Sequence, residues 1–158
     1  MGIFTVKSIG KLRSDGSGVR IELEKEFIPA LTNLEGFVYI NVLWWFHHSD
    51  TEESRSKLVE KSPYTKSPDT LGTFATRSPE RPNPIALTCA CITYLDVDNG
   101  IIGLAYIDAE DGTPVIDIKP YTPSFDRVEH PIVPNWCANW PKSVEASGDY
   151  DWSTVFNF

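Results

Sequence analysis

Positive charge is scarce in this chain. Fourteen lysines and arginines stand against 22 aspartates and glutamates, a net charge of −8. That balance argues against a non-specific nucleic-acid clamp and an anionic-membrane binder, since both rest on basic surface. A local basic site stays open. Long apolar runs are also missing. The longest, Phe37 to Phe46, is interrupted by Asn41 and falls far short of the roughly 20 residues of a membrane-spanning helix. The first residues have no apolar run of signal-peptide length. The three cysteines are an odd number, and without an export signal they read as reduced thiols in the cytoplasm. Cys89 and Cys91 lack a second pair at zinc-ribbon spacing, and Cys137 is far off, so no metal site is expected. No Gly-x-Gly-x-x-Gly or Gly-x-x-x-x-Gly-Lys motif occurs, and the helices of a doubly wound fold are absent. A Gly-x-Ser-x-Gly elbow is absent too.

The chain does have strands. With 158 residues, 41% of them apolar, it has the size of one domain that builds a core without staples. Residues 4–12 read as a first strand. Residues 19–27 alternate, with Val19, Ile21 and Leu23 on one side and charged residues on the other. Residues 37–48 are apolar on both sides and predict a central strand buried on both faces. Residues 49–70 are polar, and Ser49 with Glu52 suggests a capping box for a short helix, although a long loop fits as well. Strand character returns over 71–77. Residues 85–97 line up Ile85, Leu87, Cys89, Cys91, Leu95 and Val97 on one face. Asn99-Gly100 predicts a type I′ hairpin with a return strand over 101–108. Residues 113–119 form a last strand, and Trp136, Trp140 and Trp152 anchor an irregular tail. The sum is a mainly antiparallel β fold that closes or sandwiches.

Several clusters could carry chemistry. Residues 61–90 hold Lys61, Lys66, Arg77 and Arg81 against two acids, the one net-positive block. Arg77 and Arg81 sit in a proline-stiffened loop, where an arginine fork suits carboxylate or phosphate. Two surface arginines in ion pairs explain the same pattern. Asp111-Gly112-Thr113-Pro114 reads as a turn. Asp117 and Lys119, two apart on a strand, share a face and could meet a ligand together. His47 and His48 end the central strand, so at most one faces a given pocket. The tail tryptophans either pack or stack a base.

The run Leu71-Gly72-Thr73-Phe74-Ala75-Thr76-Arg77-Ser78-Pro79-Glu80-Arg81-Pro82-Asn83-Pro84-Ile85 resembles the signature of the TsaA-like family. These are S-adenosylmethionine-dependent methyltransferases acting on N6-threonylcarbamoyladenosine at tRNA position 37. Ile9–Ser14, Leu34–Phe37 on to Phe46-His47, and Asp111–Tyr121 agree in the same order. The resemblance implies a small antiparallel β-barrel over residues 1–126 with few short helices; residues 127–158 themselves read as a Trp-rich acidic tail packed on or beside it. It further implies a cytoplasmic homodimer that takes S-adenosylmethionine as donor and tRNA as partner. Carried over by position, His47, His48, Arg77, Leu87 and Asp111, Gly112, Thr113 and Pro114 line the donor pocket. His47, Asp117 and Lys119 are the candidate catalytic groups. Arg81, Asn83, Tyr121, Lys61 and Lys66 face the substrate. The chain departs from the family in a shortened 15–18 segment, in Glu80 where an apolar residue is usual, and in Ala86 where glycine is usual. The separate C-terminal domain of longer members has no counterpart in 127–158. A methyltransferase on a small molecule and a non-catalytic S-adenosylmethionine-binding module are the alternative functions.

Overall fold

A computed structural model describes residues 2–157. Its strands in chain order are β1 (Gly10–Asp15), β2 (Gly18–Leu23), β3 (Tyr39–Trp45), β4 (Val59–Lys61), β5 (Thr70–Gly72), β6 (Ile85–Asp96), β7 (Ile101–Leu104) and β8 (Pro114–Pro120). Three one-turn helices join them: α1 (Glu52–Ser56), α2 (Pro123–Asp126) and α3 (Val144–Ser147). The chain divides into two compact units, Met1–His48 with Pro84–Arg127 and Ser49–Asn83 with Val128–Phe158. Residues 49–83 thus group with the tail in the second unit. The physical reason is a set of contacts between Tyr64, Leu71 and Val155, described below.

The first unit is a closed antiparallel barrel in the order β1-β2-β7-β6-β3-β8, with β1 pairing back onto β8 at Gly10↔Val115. Alternate residues point inward and fill it: Leu12, Ile21, Ile40, Val42, Ile102 and Val115 are all at most 1% exposed. Trp44 joins them and donates its indole N–H to Thr88 Oγ1 at 3.0 Å, so its one polar atom is satisfied. The β1–β2 hairpin turns on Gly16 and Ser17 alone, with Asp15 opposite Gly18. The shortened 15–18 segment is therefore a two-residue connection.

Several expectations shift. The first strand begins at Gly10 rather than at residue 4. β3 is not buried on both faces: Ile40, Val42 and Trp44 are buried, whereas Tyr39, Asn41, Leu43 and Trp45 are half-buried. The apolar outer residues hid that asymmetry. In β6 the core face belongs to Ala86 and Ala90, and Leu87 is on the outside, 48% exposed. A register shift between Ile92 and Tyr94 then reverses the phase, which lets Leu95 and Val97 pack on the core. The Asn99-Gly100 hairpin forms, but as a four-residue loop between paired Asp96 and Ile101. In that loop only Gly100 takes a positive φ, +70°, so the turn is not type I′. Asp96 Oδ1 accepts the Asn99 N–H at 3.2 Å and supplies the missing local support.

The second unit has a small sheet, β4 against β5, and an aromatic core. Thr51, not Ser49, caps α1, accepting the Ser54 N–H at 3.1 Å. Strand character over 71–77 ends at Gly72, where a 3₁₀ turn over Thr73–Ala75 takes over. Tyr64 stacks on Trp136 with centroids 5.3 Å apart and planes at 11°. Trp140 stands edge-on to Tyr64, Trp136 and Trp152. Each such pair adds about 0.5–1.5 kcal/mol beyond its buried area. The backbone ties the same pieces: Thr65 donates to the Val155 carbonyl at 2.8 Å, and Tyr64 bridges to Phe156. The three tail tryptophans are the anchors that the sequence suggests.

Candidate functional site

One end of β3 builds a polar rim on the barrel. The Phe46 N–H donates to the Pro84 carbonyl at 2.8 Å, and the chain then curls into a 3₁₀ turn over His47–Ser49. His47 Nδ1 lies 3.4 Å from Thr113 Oγ1. Thr113 is 1% exposed, so its hydroxyl is a fixed reference for the imidazole. His48 Nε2 sits 2.9 Å from Glu110 Oε2, and the two imidazole centroids are 3.8 Å apart.

The Glu110–Thr113 turn is itself held from below. Gly112 adopts φ +80°, a conformation that other residues resist, and its N–H donates to the Leu12 carbonyl at 2.8 Å. The Leu12 N–H answers to the Thr113 carbonyl at 2.8 Å. Asp111 accepts from the Ser14 N–H at 3.0 Å and from Arg13 at 3.3 Å. Arg13 also bonds Glu22, which Arg20 shares with Asp15. Burial is the largest single influence on Glu22 and pushes its carboxyl upward, but the hydrogen bonds from Arg13 and Arg20 together bring it below the ordinary value. Asp15 falls to about 2, chiefly because the Ser17 hydroxyl and N–H and then Arg20 bond its carboxylate. Nothing lies within 4 Å of a side chain built onto Gly112, so the turn faces open space.

Asp117, Lys119, Leu87 and Tyr121 belong to a different surface, the outer face of β6-β3-β8. Leu87 is in register with Leu43, and Leu43 with Asp117. Asn41 is likewise opposite Lys119, and the Tyr121 N–H donates to the Tyr39 carbonyl. Asp117 uses both oxygens nearby: Oδ1 accepts from the Ile118 N–H at 2.9 Å and Oδ2 from Lys119 Nζ at 2.5 Å. The barrel thus separates the two histidines at its rim from the Asp117–Lys119 pair on its face.

The remaining candidates lie in the second unit. Thr73 and Thr76 are buried and knot the signature loop: Thr73 donates to the Lys57 carbonyl, Thr76 to the Thr73 carbonyl. Arg81 Nη2 reaches the Thr73 carbonyl at 3.5 Å. Arg77 and Asn83 are exposed, as are Lys61 on β4 and Lys66. Glu80 forms an ion pair with Lys57, which also contacts Glu60. The hydrogen bond that Lys57 donates to Glu80 raises the Lys57 pKa. The unusual acid in the loop therefore has a partner in the same unit. Ala86, in place of the usual glycine, is simply buried opposite Trp44.

Residues 10–127 match the family of the tRNA-methyltransferase O N-terminal domain. The chain belongs to that family. It is 36% identical over 124 residues to a probable S-adenosyl-L-methionine-binding protein of Pyrococcus horikoshii, covering 78% of this chain and 86% of that one. It is 38% identical over 106 residues to the mouse tRNA (adenine(37)-N6)-methyltransferase, covering 67% of this chain and 23% of that one. A third relative, a probable S-adenosyl-L-methionine-binding protein of Archaeoglobus fulgidus, is 38% identical over 110 residues; these cover 70% of this chain and 28% of that protein. The crystal structure of TrmO from Pseudomonas aeruginosa superposes with a TM-score of 0.64 at 28% identity, covering 83% of this chain and 62% of that one. The chain thus spans about a quarter of the Archaeoglobus and mouse proteins. The barrel is the family's fold.

Arg13 and Glu110 escape a reading based on the sequence alone. Each is one charged residue among many: Arg13 has its role because the barrel brings β1 beside the 110–113 turn, and Glu110 because the turn after β3 brings His48 to it. Among the described residues no group of three or more His, Cys, Asp or Glu could hold a metal ion, and no helix is long and apolar enough to cross a membrane.

Proposed function

We propose that this chain is an S-adenosylmethionine-dependent methyltransferase acting on a tRNA anticodon loop, with N6-threonylcarbamoyladenosine as the modified nucleoside. The family match over residues 10–127 carries the reading. The rim chemistry fits the donor: open space over the Gly112 turn, backbone groups for an adenine, and the Glu110 and Asp111 carboxylates for ribose hydroxyls. When bound, S-adenosylmethionine supplies the methyl group, the acceptor nitrogen–carbon bond forming in line as the sulfur–carbon bond breaks. His48 and residues Asp111–Pro114 orient the nucleoside part of the donor. His47 takes the proton from the acceptor nitrogen, with Thr113 fixing its ring. Asp117, Lys119 and Tyr121 hold the acceptor. Leu87 belongs to an outer face rich in half-exposed apolar residues, including Ile85 and Leu43. That face supports a homodimer, and the odd cysteine count supports a cytoplasmic site of action.

Arg77 is assigned the donor's carboxylate on its chemistry. Arg77→Ala weakens donor binding by about 1.5–3 kcal/mol, the cost of a lost charge-assisted contact; calorimetry with an unchanged affinity would remove that assignment. Lys61 and Lys66 neutralise phosphates, so tRNA binding follows log salt with a slope of roughly −2 to −4 for two to four contacts. The net charge of −8 favours a second reading, a small-molecule acceptor on the same donor chemistry. Labelled-methyl transfer to bulk tRNA and to a small-molecule extract, run in parallel, separates the two. Label on tRNA is the expected result. Label on a small molecule, without salt-dependent tRNA binding, moves the reading to the second acceptor class. Label in neither leaves a donor-binding module.

A further inference from the structure

The tail does more than cover the second unit's core. Two adjoining cavities, of about 490 and 200 Å³, share Tyr64, Trp136 and Trp140 as walls. Among the described residues, Arg77 is the one charged residue lining the larger and Lys66 the one charged residue lining the smaller, and no carboxylate lines either. In a chain with 22 acids and 14 bases, two aromatic cavities whose charged lining among the described residues is a cation each are a local exception. Phe74 stands at the larger cleft with 84% of its surface exposed. A solvent-facing phenylalanine beside three tryptophans gains nothing for the fold that burial would not improve.

Aromatic walls with nearby positive charge match a nucleotide, whose base offers a π-face and whose phosphate is anionic. The larger volume lies in the range of small-ligand pockets, roughly 300–1,000 Å³. We propose that the cleft seats an unstacked base of single-stranded RNA, with Phe74 and the tail tryptophans as its walls and Lys66 meeting the adjacent phosphate. The proposal rests on the reading of the substrate as RNA and gives it a site between matched residues such as Phe74 and Lys66 and the tail tryptophans, which lie outside the matched residues 10–127.

The test uses the full chain without donor. A mixed-sequence single-stranded RNA oligonucleotide is titrated against tryptophan fluorescence, beside the same sequence as a duplex. The single strand quenches the tryptophans and the duplex does not. Phe74→Ala weakens single-strand binding by roughly 5-fold or more, as expected for one stacked base, with an unchanged melting temperature, and Phe74→Tyr restores it. If Phe74→Ala binds as the wild type does while the wild type methylates tRNA, the cleft proposal fails and the function stands. If the wild type binds the oligonucleotide through Phe74 but methylates only a small molecule, the function fails and the cleft stands. S-adenosylmethionine displacing the oligonucleotide from the tryptophans in Arg77→Ala as well as in the wild type assigns the aromatic walls to the donor and overturns the proposal.

Discussion

The two units solve the same problem with different chemistry. The barrel is filled by aliphatic side chains on alternating positions, and its ladder closes so that strands satisfy one another. The second unit has two strands of three residues, and relies on aromatic edges and faces and on side chains that bond the backbone. A periodic core tolerates polar loops; an aperiodic one depends on each ring being present. The difference teaches where stability is shared and where it is local.

The largest effect comes from cutting both cores at a tryptophan. Trp44→Ala empties the barrel at a residue 6% exposed and costs about 3–5 kcal/mol, a large share of a domain's stability. Urea unfolding followed by far-UV circular dichroism is expected to lose the β signal at much lower denaturant. Trp140→Ala removes a ring that meets Tyr64, Trp136 and Trp152, and is expected to reduce the near-UV aromatic signal to that of the barrel's own rings, Trp44 and Phe46 among them, while the barrel's far-UV signal persists. Simultaneous loss of both signals in the Trp140 variant would show that the units melt as one.

A smaller effect sharpens the comparison at the rim. Thr113→Val keeps the buried shape but removes the hydroxyl beside His47, with a stability cost of about 1 kcal/mol. Because Thr113 acts through His47, the pH profile of methyl transfer is expected to move in Thr113→Val and to return in Thr113→Ser. An unmoved profile would leave Thr113 a packing residue.

The smallest effect lies at the hairpin. Asp15 titrates near 2, below its ordinary 3.8. A depressed carboxylate stabilises the fold above the unfolded value, and that contribution disappears as the pH falls through the folded one. The melting-temperature advantage of the wild type over Asp15→Asn is thus expected to be full above about pH 4 and lost near pH 2. Salt is expected to shrink it, since the carboxylate side chain is half exposed. An advantage that grows on acidification would overturn the assignment.

Legibility in the sequence follows the same divide. Alternation over Val19–Leu23 and the apolar run in β3 announced barrel strands because period-two patterning is a local property. The β6 face was misread because its inner positions are alanines, which carry little hydrophobic signal beside Leu87 and Cys89. The bulge at Ile92–Tyr94 then mixed both phases in one segment. At the site, the family-like runs brought out His47, Thr113 and Arg77. They included Arg13 without giving it a role and did not bring out Glu110 or Lys57; the partners of these three lie 98, 62 and 23 positions away. The grouping of residues 49–83 with the tail was invisible for a related reason: it depends on Tyr64 meeting Trp136, a contact without any period.

Barrel closure has a consequence for solubility. With β1 paired to both β2 and β8, the barrel has no edge strand, and so offers no template for growth by strand addition. That hazard passes to β4 and β5. There it is blunted, because each strand is three residues long and β4 ends in Lys61, followed by Ser62 at φ +42° and then Pro63. A chain with little net repulsion to spare at its isoelectric point of about 4.8 therefore meets mild acid with its longest strands already sealed against fibril-type assembly.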